Sequence, residues 1–153
     1  MNDLNEETIE FLSNSGWTPT RKIDVTSYLQ AHEDAGCVVP EIVVEFMSNF
    51  GELKIDLPID TTIENNSKKK PPSGKVHFDG LISGDFCGDL KHYVENVNVK
   101  ALYPIGELGG QSMLLLDEYG RMYYELGLSE IYQFSETVAE GLNKIIASRG
   151  NVR

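Results

Sequence analysis

Basic residues are scarce in this chain. Thirteen lysines and arginines stand against 24 aspartates and glutamates in 153 residues, a formal net charge of −11 with a pI near 4.6. Such a field repels nucleic acid and anionic membrane and attracts basic partners. Cysteine is scarcer still. Cys37 and Cys87 form no closely spaced pair, so neither a zinc knuckle nor a CxxC redox site is available. The count leaves a disulfide between them open, but reduced, partly buried thiols are the expected state of a cytosolic domain. Long apolar runs are missing. Met113 to Leu116 is among the longest, far short of the roughly 20 residues a spanning helix needs. Met1 to Glu7 is acidic and lacks the basic and apolar regions of a signal peptide, so a cytoplasmic location is expected.

Catalytic patterns are also missing. His32, His77 and His92 occur in no HExxH or HxH arrangement. His77 stands near Asp79, and Asp85 and Asp89 lie close in sequence, but each reads as a surface or turn residue. Ser13, Ser83 and Ser112 lack a GxSxG elbow, and neither cysteine has a histidine at an interpretable spacing. The glycine-rich stretch Gly106 to Gly110 has no following Lys-Ser/Thr, which leaves a connection between strands and not a phosphate loop. No catalytic residue, metal site or cofactor is expected, and the chain reads as a binding protein, not an enzyme.

What is present is ordinary globular patterning. At this length a single domain buries roughly 68–70% of its unfolded surface and needs no staple. Asn5 can cap a first helix whose opening turn carries Glu6 and Glu7, with Gly16 ending it. Asp24 caps a second helix over Val25 to Ala35. Pro40 opens a third, in which Ile42, Val43, Phe46, Met47 and Phe50 follow helical spacing and Gly51 marks the end. Leu53, Ile55 and Leu57 alternate with polar residues as a strand should. A mobile loop is expected at 59–75, where lysine, proline, asparagine and serine displace the pattern.

A short strand at Val76 to Phe78 and a helix over Gly88 to Val97 follow. Strands are expected at Lys100 to Ile105 and at Met113 to Leu116. Asp117 to Gly120 turns the chain into a further strand, Arg121 to Leu126. Ser135 caps a closing helix with Val138, Leu142, Ile145 and Ile146 on its buried side. Helices first, hairpin-linked strands next and a closing helix predict one α+β domain with a largely antiparallel sheet.

Four segments carry a resemblance. They are Gly16-Trp17-Thr18-Pro19-Thr20-Arg21, Phe46 to Leu53 with Phe50-Gly51 at its end, Tyr103-Pro104-Ile105-Gly106, and Asp117 to Tyr123 with Gly120 and Arg121 inside it. In this order the chain resembles the third group of SUKH bacterial immunity proteins, related to the SMI/KNR-like fold. The departures are the polar insert Ile59 to Gly74 and the Gly-Gly loop after the third segment. The resemblance implies an antitoxin that binds and neutralises a cognate toxin, with nuclease domains frequent among such toxins. A basic nuclease domain would suit an acidic inhibitor. A regulatory or scaffolding module of the same fold is the alternative, and a hydrolase hidden in dispersed carboxylates is the third reading.

The motif residues also have structural readings. Trp17 is expected to be a core anchor, Gly51 and Gly120 to serve backbone geometry, and Arg21 to pair with a carboxylate. Motifs shared across many toxins should be scaffold, leaving specificity to exposed residues elsewhere. Glu6 and Glu10 on the first helix and Glu41 and Glu45 on the third are the candidate toxin contacts. Separately, they are ordinary solvated helix faces; contiguous, they are an acidic surface.

Overall fold

The structure is a computed structural model that describes residues 3–58, 74–109, 112–127 and 130–152. The described residues form five α-helices, a 3-10 turn and one sheet, in the order α1 (Glu6–Asn14), α2 (Thr26–Asp34), α3 (Glu41–Phe50), β1 (Lys54–Asp56), β2 (Lys75–His77), the 3-10 turn Cys87–Leu90, α4 (Lys91–Val97), β3 (Leu102–Leu108), β4 (Ser112–Asp117), β5 (Met122–Gly127), β6 (Glu130–Ser135) and α5 (Val138–Ala147). The sheet has six strands in sequence order, each antiparallel to its neighbour. The fold is therefore α+β with an antiparallel sheet. Among the described residues no helix is long and apolar enough to cross a membrane.

The pleat sorts side chains into two cores. Along β4, Leu114 and Leu116 join the larger core, while Met113 and Leu115 join the smaller one on the opposite face. The larger core takes Leu12 of α1, Tyr28 of α2, Phe46 of α3 and Leu142 of α5. The smaller takes Leu90 and Tyr93 from the 3-10 turn and α4. Burial on both faces explains why β4 reads as a continuous apolar run and not as an alternation. Register in β3 shifts between Pro104 and Gly106. Proline has no N–H to give the ladder and is tolerated at such a bulge. The Pro104 carbonyl is instead an acceptor for Tyr28 Oη at 2.8 Å, and a Cβ on Gly106 would strike the His77 carbonyl.

Helix ends follow local chemistry. The Asn5 side chain accepts from Thr8 N at 2.9 Å, capping α1. Asp24 accepts from Thr26 N at 2.9 Å, though Val25 is the capping position of α2. Two expectations are corrected. Ser135 is not a helix cap but the last residue of β6; Thr137 caps α5 by accepting from Glu140 N at 3.1 Å. Strand β6 itself was not foreseen. Lys75 does not belong to a loop: it opens β2 opposite Asp56, and Leu57 N donates to Gly74 O at 2.6 Å. The rest of the expected mobile loop, 59–73, lies outside the described residues.

The cysteines depart from the expected free thiols. Cys37 and Cys87 are joined as a disulfide, with Cα atoms 6.4 Å apart across a sequence separation of 50, a spacing a disulfide accommodates. The cause is the turn after α2. Gly36 takes φ +84° and Cys37 N donates back to His32 O at 2.9 Å, which sets Cys37 against the start of the 3-10 turn. A cross-link closing a loop of this size constrains the unfolded chain. Replacing both cysteines with serine is expected to cost about 2–4 kcal/mol, measured by urea unfolding of oxidised wild type and variant. A loss below about 1 kcal/mol would show that the link adds little to the closure already made by packing.

Candidate protein-interaction groove

Trp17 follows Gly16, whose φ of +104° turns the chain out of α1. Its amide donates to Leu12 O at 3.0 Å, and its ring stacks on Phe50 with centroids 6.0 Å apart and planes 11° apart. The side chain is buried, and among the described residues its indole Nε1–H has no hydrogen-bond partner. Among the described residues, Arg21 pairs with no carboxylate. Its guanidinium donates to Asn49 O and Gly51 O, each at 2.8 Å, so it closes the carbonyl-rich end of α3 where a cation is favoured. Gly51 has φ −53° and needs no left-handed backbone; a Cβ there would collide with the Met47 carbonyl. Close approach is the constraint, and the positive φ of +68° falls on Glu52 instead.

The β4–β5 turn is organised around Asp117, whose side chain is fully buried. Oδ1 accepts from Tyr119 N at 2.8 Å and Arg121 N at 3.0 Å. Oδ2 accepts from Arg121 Nε at 2.6 Å and from Tyr123 Oη at 2.7 Å. The bond to Asp117 raises the Arg121 pKa, and burial followed by the Asp117 bond raises that of the Tyr123 phenol. Gly120 has φ +90°, and a Cβ there would press on Ile42 Cδ1. The turn thus packs against α3 and holds Tyr119 outward, 64% exposed, with the Arg121 guanidinium 4.9 Å from its ring centroid.

Between α1, α3, this turn and the start of α5 lies a groove of about 650 Å³. Its buried lining includes Trp17, Phe46, Phe50 and Val138; its more exposed lining includes Ile9, Glu45 and Tyr119. Motif residues from three of the four segments therefore meet here: Trp17 and Phe50 beside Gly120. Sequence reasoning singled out Glu45 by charge but missed Ile9, Ile42 and Tyr119 as surface features. Ile9 is 41% exposed on α1, and an exposed isoleucine inside a helical stripe is the signal that could have marked it.

Glu6, Glu10, Glu41 and Glu45 are all exposed. The structure brings Glu45 to the groove; Glu6, Glu10 and Glu41 stand on α1 and α3, which flank it, but do not line it. The described lining contains no histidine, cysteine, lysine or arginine. Chemically, the groove offers an apolar trough with aromatic faces and a carboxylate rim.

The chain matches the family model described as SUKH-3 immunity protein over residues 4–148, nearly its whole length. No curated protein and no solved structure matches it.

Proposed function

The chain belongs to the SUKH-3 immunity protein family, and from that premise we propose that it neutralises a cognate toxin by direct, non-catalytic binding in the cytoplasm. The family match carries this reading. Charge supports the finer part of it: a chain of net charge −11 is complementary to a basic domain, as nuclease domains must be to hold nucleic acid. The groove between α1 and α3 and its rim is the proposed contact, with the toxin's basic domain as occupant. Glu45 sits on the rim, and Glu6, Glu10 and Glu41 extend the acidic field on either side. The motif residues Gly16, Trp17, Arg21, Phe50, Gly51, Pro104, Gly106, Asp117, Gly120, Arg121 and Tyr123 are proposed to build the scaffold, leaving discrimination to exposed residues such as Ile9 and Tyr119.

Rim charges act mainly on the association rate. Association with a cognate toxin should therefore slow as salt rises, because the Debye length falls from about 10 Å at 0.1 M to about 3 Å at 1 M. Glu45→Lys and Glu41→Lys should slow it further while changing stability by no more than about 0.5 kcal/mol. Surface plasmon resonance over a salt series, beside a melting curve for each variant, reads both. Salt-independent association, with full protection of cells by the charge-reversed variants, would reject the acidic rim and leave the apolar groove as the remaining contact.

A further inference from the structure

Among the described residues, His32 is the one whose side chain buries two polar atoms without a hydrogen bond. Its side chain is 0% exposed, and among the described residues neither Nδ1 nor Nε2 has a hydrogen-bond partner. A neutral imidazole carries one donor and one acceptor, and burying both unpaired is costly. Aromatic rings wall it in: Tyr28 at 4.6 Å, Phe86 at 5.4 Å and Tyr103 at 5.7 Å between centroids. Those rings bring it no hydrogen bond, since Tyr28 Oη donates to Pro104 O and Tyr103 Oη to Val38 O. Two sulfurs lie near it. A His32 ring nitrogen, Cys37 Sγ and Cys87 Sγ all lie within 4.8 Å of one another.

We propose that the dithiol form of this protein binds one zinc ion through Cys37 Sγ, Cys87 Sγ and a ring nitrogen of His32. Two thiolates and an imidazole are ligands that a thiophilic cation prefers over the hard oxygen donors that magnesium and calcium take. Charge selects a divalent ion: two thiolates and Zn²⁺ sum to zero, which suits a buried place, whereas a monovalent ion would leave a net negative charge there. An imidazole ligates through the lone pair of a ring nitrogen, and among the described residues neither ring nitrogen of His32 is engaged in a hydrogen bond. Three protein ligands leave a fourth tetrahedral position for water, and Cys37, the half-buried member of the set, is the side from which water reaches it.

In the disulfide form the sulfurs are bonded to each other and are not ligands. The two states are alternative ties between the same two places, the turn after α2 and the start of the 3-10 turn. A reducing compartment cleaves the disulfide; zinc then restores the tie and pairs the orphaned imidazole. Each thiol gives up its proton on binding, so affinity rises with pH.

The test uses the full chain, reduced without oxygen by a trialkylphosphine. The S–S bond breaks, each sulfur gains an electron and a proton, and the phosphine becomes its oxide with oxygen taken from water. Cobalt(II) is the probe. One equivalent is expected to bind with thiolate-to-cobalt charge-transfer absorption and tetrahedral d–d bands, and Zn²⁺ should displace it. Oxidised protein should show neither band. Cys37→Ser/Cys87→Ser should abolish the charge-transfer absorption. His32→Phe, which keeps a ring in the aromatic pocket, should weaken binding by more than the roughly 10–100-fold that losing an outer-shell partner costs. A folded, reduced protein that binds no stoichiometric cobalt overturns the proposal, as do bands that persist in the double variant. Should reduction unfold the chain, zinc must restore native circular dichroism in wild type but not in the double variant; equal recovery, or none, overturns it as well.

Discussion

Asp117→Ala is expected to cost about 3–5 kcal/mol, built from about 1–3 kcal/mol for each buried donor left without its acceptor. The carboxylate accepts four hydrogen bonds, from two turn amides, the Arg121 Nε and the Tyr123 hydroxyl. Alanine leaves all four donors without their acceptor. The Tyr123 hydroxyl belongs to a residue only 1% exposed and has no easy route to water, so its stranding costs about 1–3 kcal/mol. Arg121 costs less, because its side chain is 27% exposed and can turn to solvent. Two variants separate these contributions. Tyr123→Phe removes one donor and leaves the carboxylate otherwise satisfied, so about 1–2 kcal/mol is expected. Asp117→Asn keeps the shape but puts an amide NH₂ where an acceptor was, so it should fall between the two. Urea midpoints at constant m-value give the three numbers. An Asp117→Ala loss below that of Tyr123→Phe would show that the turn is held by Gly120 against α3 and not by the carboxylate.

Legibility in the sequence divides along a physical line. Helices α1 and α3 and the closing helix were readable because each presents one apolar stripe and carries a cap or breaker within its own segment. The hairpin through Asp117 to Gly120 was readable for the same local reason. Strand β6 was not: Glu130, Tyr132 and Gln133 lie on a sheet edge, where half the side chains meet water and the pattern fades. Arg21 was recognised as a fixing cation, but its acceptors are main-chain carbonyls at the end of α3, and carbonyls have no sequence signature. The cysteine pair and His32 come together only because Gly36 reverses the chain next to a turn 50 residues downstream. The groove escaped notice in the same way. Glu45 could be chosen by charge, but Ile9, Ile42, Tyr119 and Val138 lie on four separate elements, and what makes them a site is tertiary contact.

Trp17→Ala is expected to cost about 3–5 kcal/mol, as large-to-small changes of buried aromatics do. For a chain of this size each kcal/mol lowers the melting temperature by roughly 2–4 °C, so the shift is easily measured. Three contributions add: lost area, a cavity beside Phe50 and Phe46, and the loss of the stacked ring pair at 6.0 Å. One contribution runs the other way. The indole N–H is buried without a partner among the described residues, and removing an unpaired donor relieves a penalty. Trp17→Phe isolates that term, since it keeps an aromatic face toward Phe50 and deletes the N–H. Its cost should be well under half that of alanine. Because Trp17 also lines the groove, stability and binding must be read together, with toxin binding measured at a temperature where every variant is folded. A scaffold role predicts that Trp17→Phe binds like wild type, and that Trp17→Ala binds more weakly only as far as its groove relaxes. If Trp17→Ala instead left the melting temperature unchanged and destroyed binding, the indole would be a recognition element, and the donor without a partner in the free protein would be the group that meets the toxin.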